Sequence, residues 1–127
     1  MTIQFQRTVP VFRIFALDKA KEFYLGFLGF KVDWEHRFAP DEPVYMQVSR
    51  DGLVLHLSEH HGDGTPGSVA YVNMTGVREL HRELSDKKYR NLRPGLQQQE
   101  WGMTEFAVID PFHNNLIFGE RTEAMSA

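Results

Sequence analysis

The chemistry open to this chain rests on six histidines, two tryptophans and a few well-placed polar side chains. His56, His60 and His61 crowd together next to Glu59, which invites a metal reading. Against it, His60 and His61 border a glycine-rich stretch, neighbouring residues of an extended chain point to opposite faces, and tight metal sites hold their ligands on rigid elements. No metal is therefore expected. His56, between Leu55 and Leu57, reads either as a hydrogen-bonding or titrating contact to a ligand or as a histidine satisfied within the fold. Trp34 and Trp101 offer flat surfaces on which a planar ligand stacks, the alternative for each being a place in the core. Trp101, preceded by the polar run Gln97-Gln98-Gln99-Glu100 and followed by Gly102, is the stronger pocket candidate. Tyr45 offers a phenol, Arg13 a guanidinium for an anionic group, and Glu105 a carboxylate for a cationic one. Their plainer readings are an exposed edge tyrosine, an ion pair and a solvated carboxylate. His36, His81 and His113 read as surface or helix-flank residues. No Ser/His/Asp ordering, phosphate-cradling loop or paired carboxylates stand out.

These residues need elements to position them. From Thr8 to Phe15 the residues Val9, Val11, Phe12, Ile14 and Phe15 suit a strand, which Pro10 confines to an edge. Asp18 then reads as an N-cap, and Ala20, Phe23, Tyr24 and Phe27 draw one apolar stripe down a helix that stops at Gly29. Three extended segments follow. Residues 30–38 alternate Phe30, Val32, Trp34 and His36 against charged neighbours, residues 44–49 set Val44, Met46 and Val48 against Tyr45 and Gln47, and residues 53–58 set Leu53, Leu55 and Leu57 against Val54, His56 and Ser58. Asp51-Gly52 is a tight hairpin turn. After a linker of turn formers at residues 60–67 the plan repeats, with a strand at 68–73, a helix from Val77 carrying Leu80, His81 and Leu84, and extended segments near Asn91-Leu92, at 104–109 and at 115–118. Leu116-Ile117-Phe118-Gly119-Glu120 echoes Leu55-His56-Leu57-Ser58-Glu59 about 60 residues earlier, as an internal duplication would. The expectation is an α+β domain over residues 1–127 made of two tandem βαβββ modules, 8–61 and 68–121. Their uncovered sheet faces would form a shared cup, into which strand parity turns His56.

Composition narrows the function. At 127 residues the chain buries a core without staples, and the absence of cysteine removes disulfides, thiolate metal sites and a cysteine nucleophile. A net charge of −3 without a basic run speaks against nucleic acid. No segment approaches the ~20 apolar residues of a membrane span, and no signal peptide is legible, so a cytoplasmic location is expected.

Leu17-Asp18-Lys19-Ala20-Lys21-Glu22-Phe23-Tyr24, Leu28-Gly29-Phe30, Trp101-Gly102 and Asp110-Pro111-Phe112-His113-Asn114-Asn115 together resemble the glyoxalase/bleomycin-resistance (vicinal oxygen chelate) superfamily over nearly the whole chain. One departure is His113, where the pattern usually has Gly. The resemblance implies four metal-ligand positions, which fall on Val9, His56, Ser68 and Ile117. Only His56 is a competent ligand, so the metal-free, bleomycin-resistance-like branch is expected, with no cofactor. The resemblance further implies a small-molecule ligand held in cups that two chains often complete, hence a homodimer. The alternative is a metal-dependent lyase, isomerase or dioxygenase of the same superfamily, drawing on His60, His61 or Glu120 beside His56.

Overall fold

The computed structural model describes residues 2–89 and 94–122. The elements run β1 (Val11–Arg13), α1 (Leu17–Lys21), β2 (Lys31–His36), β3 (Tyr45–Arg50), β4 (Leu53–Ser58), β5 (Val69–Asn73), α2 (Val77–Lys87), β6 (Gln97–Gln98), β7 (Met103–Ile109) and β8 (Asn115–Arg121). They form two four-stranded sheets, ordered β1-β4-β3-β2 and β5-β8-β7-β6. In each, the first strand pairs in parallel with the last, and the remaining neighbours are antiparallel. The fold is α+β, with one strand-helix-three-strand plan used twice. The echo between Leu55–Glu59 and Leu116–Glu120 has a structural meaning, because β4 and β8 hold the same place in their sheets. The glutamates at their C-terminal ends act alike: Glu59 Oε1 accepts from the Val44 N–H at 3.0 Å, and Glu120 Oε1 from the N–H groups of Gly76 and Val77, both at 3.0 Å. The second pair places an anion at the N-terminus of α2, where unsatisfied donors and the helix dipole favour it.

Helix α1 buries Ala20 and continues as a π-helical segment, Glu22–Phe27, that buries Phe23, Tyr24 and Phe27, so the whole apolar stripe meets the core. Asp18 is not the cap. The N-cap is Ala16, and Asp18 lies in the first turn, where its charge still suits the dipole. Phe27 stacks on Tyr89 at 4.9 Å, and Tyr24 reaches the second half: its Oη donates to Asp110 Oδ2 at 2.7 Å. Buried Asp110 also accepts from the N–H groups of Phe112 and Asn114, both at 2.8 Å, and from Asn114 Nδ2 at 2.9 Å. The Asp110–Asn114 motif is therefore a turn that clasps the first helix to the second sheet. His113, at φ 69°, stands in the left-handed region of that turn, the backbone state that favours the glycine usual there.

Several boundaries differ from expectation. The first strand shrinks to Val11–Arg13, β6 lies at Gln97–Gln98 within what reads as a polar run, and β8 extends to Arg121. The strand expected near Asn91-Leu92 lies outside the described residues. The hairpin at Asp51-Gly52 has φ of 47° and 92°, as a two-residue turn with both residues left-handed requires. The largest change is in β2, whose pairing with β3 slips between Val32 and Trp34. Val32 stands opposite Val48 on the covered face, but Trp34 stands opposite Gln47 and His36 opposite Tyr45. The extra residue, Asp33, carries Trp34 and His36 off the apolar face that simple alternation assigns them.

The helix-covered faces of both sheets meet in one core, from Phe12, Ile14 and Leu57 in the first half to Val108, Leu116 and Phe118 in the second. No hydrogen-bonded ladder joins the two sheets among the described residues. Their other faces are left uncovered within one chain: Trp34 is 42% exposed on the first, Tyr71 43% on the second.

Candidate functional site

Parity along β3 and β4 builds the first open face. Met46, Val48, Leu55 and Leu57 are buried, so Tyr45, Gln47 and His56 point the other way, and the bulge adds Trp34. A chain of hydrogen bonds links them. Gln47 Nε2 donates to Asp33 Oδ2 at 3.0 Å, which turns Gln47 Oε1 toward His56 Nε2, also at 3.0 Å. His56 therefore carries its proton on Nε2, leaving Nδ1 to accept from Tyr45 Oη at 2.8 Å, a tautomer assigned from this network. The titration shifts agree with a neutral His56-Tyr45 pair anchored, through Gln47, on an ionised Asp33. Burial lowers the His56 pKa, burial and then the Asp63 charge raise the Tyr45 phenol, and hydrogen bonds from Gln47 and Ser49 lower Asp33. Trp34 stacks on Tyr45 at 6.0 Å and 11°, and meets the His56 ring edge-on at 5.4 Å.

Beside this network lies a cavity of about 450 Å³ lined by Trp34, His36, Phe38, Tyr45, His60 and Asp63. Asp63 is held in place by Ser58, whose Oγ donates to its Oδ2 at 2.9 Å and accepts from the His60 N–H at 3.1 Å. The loop then turns back against β1 at Gly64, where a Cβ would stand 2.7 Å from the Val11 carbonyl oxygen. A larger cleft, about 630 Å³, opens where the halves meet around Arg50, Leu53, Met74 and Leu80. The one cation among its described lining residues, Arg50, is spent on both carboxylate oxygens of Glu83 at 2.8 Å and on the Leu28 carbonyl at 2.8 Å.

On the second open face Tyr71 lies across Gly119, where any side chain would collide with its ring and hydroxyl. Its Oη donates to Glu105 Oε2 at 2.7 Å, and Gln99 Nε2 donates to Glu105 Oε1 at 3.2 Å. Burial of the hydroxyl end, together with the Glu105 hydrogen bond and charge, pushes the Tyr71 pKa to about 12. Trp101 stands at the turn between β6 and β7, 61% exposed, so it is not a core residue.

The residues singled out in the sequence thus fall into two groups. His56, Tyr45 and Trp34 come together on the first sheet, while Glu105 and Trp101 lie on and beside the second. Among the described residues no hydrogen bond or ring contact joins the groups within one chain. Arg13, on β1, lays its guanidinium 4.6 Å over the Phe15 ring and pairs with no carboxylate among the described residues. Phe38, Asp63, Gln47 and Tyr71 escaped sequence reasoning. Tyr71 shares its strand face with Val69 and Asn73, all exposed, so parity could have found it; the loop residues carry no periodic signal.

The residues present do not suit a catalytic metal. Val9 and Ile117 have no donor atoms, and both ring nitrogens of His56 are bonded to neighbours. Among the described residues no cluster of three or more His, Asp or Glu could hold an ion, and no helix is long and apolar enough to cross a membrane.

Comparison with known proteins agrees with this architecture. The family model described as glyoxalase superfamily protein matches residues 1–125, and the chain belongs to that superfamily. None of the curated proteins matches it. Among solved structures it is similar to a bleomycin resistance determinant encoded on the transposon Tn5, at 20% identity and a TM-score of 0.72, with 92% of this chain and 98% of that one covered. A bleomycin-binding protein from Streptomyces verticillus, complexed with copper(II)-bleomycin, is similar at 25% identity and a TM-score of 0.66, covering 92% of this chain and 97% of that one. The antibiotic-binding protein TnmS3 from Streptomyces sp. CB03234 follows at 17% identity and a TM-score of 0.63, with 94% and 100% covered.

Proposed function

We propose that this protein binds an amphipathic, partly aromatic small molecule on its open sheet faces and sequesters it without catalysis. It would work in the cytoplasm as a homodimer, in which the first face of one chain meets the second face of its partner to complete each cup. The observation that carries the reading is the closed Asp33-Gln47-His56-Tyr45 network, with its His56-Tyr45 pair neutral, beside an exposed Trp34. It leaves the one histidine at a metal-ligand position fully engaged, and it offers rings and polar edges rather than a reactive group. That several structural relatives are named for binding bleomycin or an antibiotic supports it. The ligand contacts would come from Trp34, Tyr45, His56 and Arg13 on one side and from Trp101 and Glu105 on the other.

The test is direct. Purified protein titrated with bleomycin and other amphipathic drugs should bind at least one stoichiometrically per cup, observed calorimetrically, and return it unaltered. It should show no glyoxalase-type turnover, and zinc, nickel or manganese should not create any. Metal-restored turnover that disappears in His56→Ala would favour the metal-dependent lyase, isomerase or dioxygenase chemistry of the superfamily instead.

A further inference from the structure

We propose that the cavity formed by Trp34, His36, Phe38, Tyr45 and His60 around Asp63 is a subsite for an organic cation, an alkylammonium or quaternary ammonium group on the ligand. This rests on reading the first open face as a ligand site and names the chemistry it selects. The cavity is an open one, and apart from Asp63 its described lining residues all carry rings. Trp34 and Tyr45 lie nearly parallel at 6.0 Å and 11°. Phe38 stands edge-on to His36 at 4.8 Å and 84° and to His60 at 6.4 Å and 87°, and Tyr45 meets His60 at 6.5 Å and 52°. These rings are not spent in the core, since Phe38 is 77% exposed. The face of an aromatic ring is its electron-rich side, so several rings gathered about one space attract a cation whose charge is spread over methyl or methylene groups.

The polar lining agrees in sign. Among the described lining residues Asp63 is the one carboxylate, and none is a lysine or arginine. Ser58 satisfies one Asp63 oxygen and anchors the loop, which keeps the charge at the cavity instead of in free solvent. Other occupants fit less well. An anion would meet a carboxylate and no guanidinium or ammonium, and a hard divalent cation needs several oxygen ligands where the lining supplies one carboxylate and a phenol. The bulge at Asp33 makes the arrangement possible, since without it Trp34 and His36 would lie on the covered face.

The experiment compares choline with its neutral isostere 3,3-dimethylbutan-1-ol at pH 8, where ordinary imidazoles are uncharged. The shifts of the two indole N–H resonances are followed by NMR in the full-length protein, and thermal melts check that each variant is folded. Choline should shift the Trp34 resonance saturably and bind about tenfold more tightly than the alcohol, with Asp63→Asn and Phe38→Ala each weakening it about tenfold. Equal affinity for the alcohol, an unchanged affinity in folded Asp63→Asn, or no choline shift at Trp34 would overturn the inference. In any of these cases a drug that still binds and shifts Trp34 leaves the open face standing as a ligand site. Failure of every drug in the panel to bind would instead remove the reading on which the inference rests.

Discussion

Trp101 and Tyr71 show what single residues contribute to the second face. Because Trp101 is 61% exposed, its indole adds little to folding and is available to a ligand. Stacking on it is worth about 0.5–1.5 kcal/mol beyond area burial, and the buried area itself contributes at about 25 cal/mol per Å². Trp101→Ala should therefore weaken ligand affinity roughly ten- to several-hundredfold while leaving the melting temperature nearly unchanged. A large drop in melting temperature with unaltered affinity would show that the pocket lies elsewhere. Tyr71 lends itself to titration. Its pKa is raised from 10.0 to about 12, so its contribution to stability is fully present below pH 10 and is lost as the pH rises through 12. Ultraviolet difference titration against Tyr71→Phe should isolate this ionisation. Glu105→Gln should move it part of the way back toward 10.0, because the contribution of burial remains. An unmoved titration would mean that Glu105 does not hold the phenolic proton.

Among the elements, the clasp between the π-helical segment that continues α1 and the turn at Asp110–Asn114 joins the halves. Tyr24→Phe keeps the ring in the core and removes one donor from a buried carboxylate that three further donors still hold. The expected cost is about 1–3 kcal/mol, seen as a lower urea midpoint with an unchanged slope. A loss within error would mean that Asn114 and the backbone satisfy Asp110 unaided. The bulge in β2 works at the same scale but toward the site, since one extra residue turns Trp34, a core candidate by alternation, into a lining residue and brings His36 beside it.

At the scale of the whole molecule, each chain carries two separate sheets that share one core and leave their other faces uncovered. Val69, Tyr71 and Ile109 are exposed on the second open face, and among the described residues each sheet ends in strands with an unpaired edge. The proposed homodimer would cover both, and sedimentation at micromolar concentration should then show a two-chain species. A monomer alone would mean that each face works singly, and the contributions of Trp101 and Trp34 to ligand affinity would then belong to separate sites.

The α+β class, the doubled plan and the helix stripe were legible from the sequence, because period and turn chemistry are local properties. Ala20, Phe23, Tyr24 and Phe27 recur at helical spacing, and Asp51-Gly52 permits one kind of hairpin. Strand parity likewise placed His56 and Tyr45 on one face. What the residues could not disclose depends on register and on distant partners. A bulge leaves no mark in an alternating pattern, so Trp34 read as a core candidate. The proton position on His56 follows from the orientation of Gln47, which Asp33 sets from another strand. Phe38, His60 and Asp63 sit in loops that have no period, and only the packed chain brings their side chains to one cavity. The separation of Glu105 from His56 was equally hidden, because it follows from how the two helix-covered faces share a single core.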